Sequence, residues 1–302
     1  MKRIIFLAIT FIFIVFTREA FCRRSKDDLI FRIRKVVESI QAHNTQVWID
    51  TAELGEIRKA KEAGISGGTS NPSLITEAIR KSPDVYIKRI RELADKYLKG
   101  PRYLSLRLLE IERMLNRLGF ENDSLAKVIL LELTGDLIAN ALEELPGPMS
   151  WEIDPRFHND SQAMIEEARL IYEIAEERGL DLQRLYIKIP ATEAGLMAVK
   201  FLIAEGINVN LTLVFSVAQA LEGLRVYEVG IDKAKERGLE IDKIYMCISP
   251  FLGRWDDFFQ KQGINILDSK GNPVAGLYFA KILYQRYLQE IRQGGYTFPY
   301  RP

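Results

Sequence analysis

The stretch RLYIKIPATEAGL (residues 184–196) sets a strand-like run of Leu185, Tyr186, Ile187 and Ile189 around a lysine, Lys188. Lysine is a poor strand former, and burial penalises its charged form. Either Lys188 lies on an edge strand with its amine in water, or the amine is held in a closed site for use as a nucleophile. In this strand Leu185, Ile187 and Ile189 share one face, and Tyr186 and Lys188 share the other.

Four further segments repeat the pattern. In QVWID (46–50), Val47 and Ile49 oppose Trp48 and Asp50. In MSWEID (149–154), Met149, Trp151 and Ile153 oppose Ser150, Glu152 and Asp154. In NVNLTLV (208–214), Val209, Leu211 and Leu213 oppose Asn208, Asn210 and Thr212. In IYMCIS (244–249), Ile244, Met246 and Ile248 oppose Tyr245, Cys247 and Ser249. A doubly wound sheet covered by helices on both sides would want both faces apolar. A barrel whose outer face meets helices and whose inner mouth faces a ligand gives one aliphatic and one polar face, with sites at the strands' C-terminal ends. The pattern favours the barrel over an open sheet with one solvated face, because the polar residues are chemically useful ones.

The rest of the chain agrees with an α/β class. A helix is expected over KDDLIFRIRKVVESIQAH (26–43), with Leu29, Ile30, Ile33, Val36, Val37 and Ile40 at helical spacing. Six short strands, the five above and one near ISGGTS (65–70), alternate with helices expected near 52–63, 73–98, 102–118, 123–144, 159–178, 191–205, 216–237, 252–262 and 273–292. The helices between 73 and 144 read as a layer packed on one side of the sheet, not as a second domain. The first residues, MKRIIFLAITFIFIVFTREAFC (1–22), carry two basic residues and then an apolar run interrupted only by Thr10. Such a run suits a signal-peptide core, or a start assigned too far upstream. Residues 1–24 are therefore set apart as a leader, and 25–302 form one barrel domain.

Composition narrows the chemistry. A formal net charge of +1 gives no reason to expect nucleic acid or an anionic membrane surface as partner. Two cysteines, Cys22 and Cys247, cannot build a disulfide framework, and with only His43 and His158 a histidine-based metal site is not expected. No metal and no cofactor are called for. If the polar faces converge, one pocket holds Asp50, Glu152, Lys188, Asn210, Thr212 and Ser249. A lysine there can form a Schiff base with a carbonyl, and two carboxylates on different strands can supply the base and the acid–base pair that such a cycle needs.

The segments WIDTAELGEI (48–57), GISGGTSNPSLI (64–75), YIKIPATEAGL (186–196), EGINVNLTLVFSVAQAL (205–221) and ISPFLGRWDD (248–257), with SWEIDPRFHND (150–160), together resemble the transaldolase family in order and approximate spacing. The resemblance implies a (β/α)8 TIM barrel of the class I aldolase type, acting in the pentose phosphate pathway in the cytoplasm, where export would remove it from its substrates. It implies transfer of a dihydroxyacetone unit from a ketose phosphate such as sedoheptulose 7-phosphate to glyceraldehyde 3-phosphate. Sugar phosphates would then be the partners, and a homo-oligomer stays open. By match of motif Lys188 would form the Schiff base and Asp50 would be the acid/base for carbon–carbon cleavage. Glu152 would act through a water held by Thr212. Asn71 and Asn210 would bind the dihydroxyacetone hydroxyls, and Ser249 and Arg254 would hold substrate and phosphate.

Each residue also has a plainer use. Asp50 could cap a helix starting at Ala52. Glu152 could pair with Arg156. Asn71 before Pro72 has the look of a turn and cap residue, and could do both jobs. Asn210 and Thr212 could satisfy backbone groups, and Ser249 could merely end a strand. No role is assigned to Ser216, His158 or Cys247. The family pattern has eight strands and this chain offers six, so the barrel reads as short at its C-terminal end. Two other readings remain: a fructose-6-phosphate aldolase that needs no acceptor, and an inactive remnant or oligomer-dependent binding protein.

Overall fold

A computed structural model describes residues 26–43, 45–120 and 123–293. The leader expected at 1–24 lies outside them. The described residues fall into two compact units. One is built from the chain up to Phe157 together with Gln162–Leu185, the other from His158–Ser161 and the chain from Tyr186 on.

In the first unit, helix α1 (Lys26–Gln41) leads into β1 (Trp48–Asp50), α2 (Leu54–Glu62) and β2 (Gly67–Thr69). Ile33 and Val37 of α1 are buried against Val47, Ala60 and Ile65, while Val36, expected on the same apolar stripe, is exposed. Four helices follow: α3 (Pro72–Lys81), α4 (Pro83–Lys99), α5 (Arg102–Asn116) and α6 (Ser124–Glu144). After them come β3 (Met149–Glu152) and α7 (Ser161–Glu177). The strands are parallel and pair in chain order, with Asp50 opposite Thr69 and Thr69 opposite Ser150. Glycine is required in β2, because a Cβ on Gly68 would stand 2.8 Å from the Met149 sulfur and 3.2 Å from the Ile49 carbonyl oxygen.

The single helix expected over 73–98 is two. Pro83 has no N–H to give to a preceding turn and its ring clashes with it, so α3 ends at Lys81 and Pro83 starts α4 at the position where proline is tolerated. Helix α6 is apolar on nearly every side and buried throughout its middle, as a helix covered by others must be; α4 and α5 pack on it and it packs on β3.

In the second unit, β4 (Leu185–Pro190), α8 (Glu193–Ala204), β5 (Val209–Val214), α9 (Val217–Glu236), β6 (Met246–Pro250), α10 (Leu252–Lys261) and α11 (Ala275–Gln293) succeed one another. Its strands are again parallel and in chain order, with Lys188 opposite Asn210 and Asn210 opposite Cys247. The turn after β4 explains the PATEAG run. Thr192 caps α8 by accepting from the Gly195 N–H at 3.0 Å. A side chain at 195 would put its Cβ 1.9 Å from the Pro190 oxygen.

All six expected strands are present among the described residues. Parallel, in chain order and separated by helices, they follow the βα succession of a (β/α)8 barrel, which eight strands would close. In the second unit the alternative of a solvated sheet face fails. Ile187, Ile189, Leu211 and Ile248 are fully buried, and so are their polar neighbours Asn210, Thr212 and Ser249.

Candidate active site

Lys188 is 6% exposed, so the edge-strand reading does not hold. Parallel neighbours in register point their side chains the same way, which aligns Lys188 of β4, Asn210 of β5 and Cys247 of β6 across three strands. Ser249, two residues further along β6, donates from its hydroxyl to the Asn210 amide oxygen at 2.6 Å. In the next row, Thr212 lies opposite Pro190 and is fully buried; its hydroxyl oxygen has no hydrogen-bond partner among the described residues. Burial pushes the Cys247 thiol up to about 12, with the charge of Lys188 pulling the other way. The thiol is therefore neutral.

Arg254 is different. It sits in the first turn of α10, just after the Ser249-Pro250 end of β6, with its side chain 69% exposed and 3.6 Å from Asp257. Nothing buries it, and a guanidinium there is open to solvent anions.

In the first unit, Asp50 ends β1 half-buried. The helix cap belongs to Glu53, whose carboxylate accepts from the Gly55 and Glu56 N–H groups. The plainer reading of Asp50 as a cap is therefore overturned. Asn71 does cap α3, accepting from the Leu74 N–H at 3.0 Å through Oδ1. That bond leaves its amide donors uncommitted. Asn71 and Glu152 both line one cavity of about 310 Å3, together with Ser70, Trp151, Lys127 and Arg156.

Sequence reasoning missed the charged group in that cavity's wall. Lys127 of α6 is buried and donates to Asp154 at 3.0 Å and to Glu167 of α7. Glu167 in turn accepts from the Asp154 backbone N–H at 2.8 Å. Arg156, proposed as a partner for Glu152, reaches Asp154 at 2.8 Å and Asp123 at 3.1 Å. Burial alone would raise the Asp154 carboxyl, but hydrogen bonds from Arg156 and the nearby Lys127 charge bring it down to about 2. Burial raises the Glu167 carboxyl. This knot fixes the chain two residues beyond Glu152. The signal available for it was a lysine placed in an otherwise apolar helix, SLAKVILLEL (124–133).

Among the described residues no group of three or more His, Cys, Asp or Glu could hold a metal ion, and no helix is long and apolar enough to cross a membrane.

Comparison with known proteins places this geometry. The family described as Transaldolase/Fructose-6-phosphate aldolase matches residues 47–294. A transaldolase of Mycolicibacterium paratuberculosis is 38% identical over 154 residues, which are 49% of this chain and 39% of that protein. Transaldolase 2 of Streptomyces avermitilis is 34% identical over 157 residues, 50% of this chain and 40% of its own. A transaldolase of Mycobacterium tuberculosis is 36% identical over 146 residues, 47% and 37%. The matched region spans about two fifths of the length of these relatives.

Proposed function

The chain belongs to the transaldolase/fructose-6-phosphate aldolase family, and on that premise we propose that it transfers a dihydroxyacetone unit between sugar phosphates through a Schiff base on Lys188. The observation that carries the reading is a buried lysine in register with buried Asn210 and one row below Thr212 and Ser249. An amine so placed is kept from bulk water and from side reactions.

In the proposed cycle the Lys188 Nζ adds to the ketone carbon of the donor sugar. The carbinolamine loses water to give an iminium ion. The bond between the third and fourth sugar carbons then breaks. Its electron pair moves toward the iminium nitrogen, leaving an enamine, and the Asp50 carboxylate takes the proton of the fourth carbon's hydroxyl as the aldehyde departs. The enamine carbon attacks the acceptor aldehyde, whose oxygen recovers the proton from Asp50. Glu152 and Thr212 serve water loss and the closing hydrolysis. Asn71, Asn210 and Ser249 bind the hydroxyls of the three-carbon unit, and Arg254 holds phosphate. Fructose 6-phosphate, sedoheptulose 7-phosphate and their three- and four-carbon aldehyde phosphates are the substrates in this reading, in the pentose phosphate pathway.

Borohydride added to the protein with fructose 6-phosphate should fix one three-carbon adduct, and peptide mapping should place it on Lys188. Product analysis with erythrose 4-phosphate present separates transfer from simple aldol cleavage: sedoheptulose 7-phosphate marks the first, free dihydroxyacetone the second. Failure to form any adduct in folded protein would sink the proposal and favour the inactive alternative.

Asn71 can be tested for its two jobs separately. Asn71→Ala removes the cap and should cost about 1 kcal/mol of stability by denaturant titration, whereas Asn71→Asp keeps an acceptor and should cost little. Both lose the amide donor, so both should lose turnover. Full activity in Asn71→Asp would confine the residue to capping.

A further inference from the structure

The strand NVNLTLV alternates without a break, yet the structure does not follow it to the end. Leu213 has φ of 58°, the only non-glycine residue with positive φ among the described residues. L-residues other than glycine, asparagine and aspartate rarely adopt this left-handed conformation.

The outlier coincides with a change of register. Toward β4 the pairing runs evenly, with Ile189 opposite Leu211 and Pro190 opposite Thr212, and the Ala191 N–H donates to the Thr212 oxygen at 2.8 Å. Toward β6, Leu211 faces Ile248, so Leu213 should face Pro250; Val214 does instead. One extra residue is thus inserted in β5, a bulge on one side of the strand only. Val214 takes the fully buried place, and the Leu213 side chain is left 40% exposed. Leucine gains little there by packing.

Next to the bulge, Thr212 keeps a fully buried hydroxyl without a hydrogen-bond partner among the described residues, an arrangement that costs free energy unless a ligand group or water uses it. The far side of the bulge is pinned. The Phe215 N–H donates to Gln219 Oε1 at 2.9 Å, Ser216 caps α9 by accepting from the Gln219 N–H at 3.1 Å, and Gln219 Nε2 donates to the Ala191 oxygen at 2.9 Å. The backbone around Leu213 is therefore over-determined by its surroundings, as strained residues at working sites are.

We infer that the left-handed backbone of Leu213 is a positioning device for the chemistry proposed for this strand: it ends the regular ladder immediately after Thr212 and aims the Thr212 hydroxyl toward the Lys188 row. The inference rests on the reading that Thr212 serves formation and hydrolysis of the imine. Leu213 is a positioning residue and touches no reacting atom.

The test is a series at one site, Leu213→Gly, →Asn, →Ala and →Val, with melting points measured so that rates are compared on folded protein. If backbone conformation is what matters, rates follow ease of the left-handed region. Gly and Asn match or exceed the parent, Ala stays within about threefold of it, and β-branched Val falls by about 100-fold in kcat with little change in KM. Imine formation, followed by timed borohydride quenching, should slow in step. If Val fails to fold, Gly and Asn above Ala still decides for the inference. Rates that follow apolar size, with Asn slowest and Val close to the parent, overturn it, as does a series with no differences. An untrapped parent protein would instead strike down the Schiff-base reading itself.

Discussion

Lys188→Met loses turnover by roughly four orders of magnitude or more and gives no borohydride adduct, while the protein stays folded. Methionine matches lysine in length and would stand in the same row, beside Asn210 and Cys247. Lys188 is 6% exposed, so a melting curve measured beside the rate assay shows whether the substitution acts on the chemistry or on the fold. That split separates a chemical role from a structural one. A lysine kept only for packing or pairing would show the reverse, a loss of stability with turnover intact. The size of the activity loss follows from the mechanism: without the amine no covalent route remains, and the surviving binding groups lower the barrier only by holding substrate. Lys188→Arg is the sharper control. It keeps a positive charge in the row but offers no nucleophile near neutral pH, and it should be as inactive as Lys188→Met. Activity in the arginine variant would mean that charge, not covalency, is what the row supplies.

How far the sequence reached depended on whether a feature was periodic. The alternation in LYIKI, MSWEID and MCIS located β4, β3 and β6 and put Lys188 beside Asn210, because strand period and burial are set by the same backbone geometry. Proline at 83 could have divided α3 from α4 and was outweighed by the helical spacing around it. Other features left no periodic trace. The cap of α2 went to Glu53, three residues after Asp50, because an irregular turn, in which the Glu53 N–H donates to the Thr51 hydroxyl, separates the end of β1 from the helix. The bulge at Leu213 hides in a perfect alternation, since the pattern records which residues are apolar and not where the ladder slips. The Lys127, Asp154 and Glu167 group joins α6, the end of β3 and α7 across 27 to 40 residues of sequence; the lone lysine among the apolar residues of α6 hints at a buried charge, but nothing local names its partners.

A second such network, in the first unit, allows a large effect on stability to be predicted. Glu132 of α6 is 1% exposed. It accepts from the Tyr97 hydroxyl at 2.6 Å and from Lys96 at 2.9 Å, and pairs with Arg178. Burial alone would raise its carboxyl, but those hydrogen bonds together bring it down to about 2, against about 4.3 for a glutamate in an unfolded chain. A folded value below the unfolded one means that the group contributes its full share above about pH 4.5 and gives it up as the pH falls toward 2. The share is on the order of 3 kcal/mol for a difference of about two pKa units. Glu132→Gln leaves Arg178 and Lys96 facing a neutral amide, and breaking a buried pair in this way costs about 3–5 kcal/mol. The variant should therefore be far less stable than the parent at pH 7 in urea titrations, and most of the gap should close by pH 2.5, where the parent's own glutamate is becoming protonated. A gap that stays constant from pH 7 to pH 2.5 would show that Glu132 stabilises by shape and neutral hydrogen bonding, with its charge irrelevant. Asp154, also held at about 2, titrates over the same range and adds to the acid sensitivity of parent and variant alike. The difference between the two proteins, not the absolute loss of either, is what isolates Glu132.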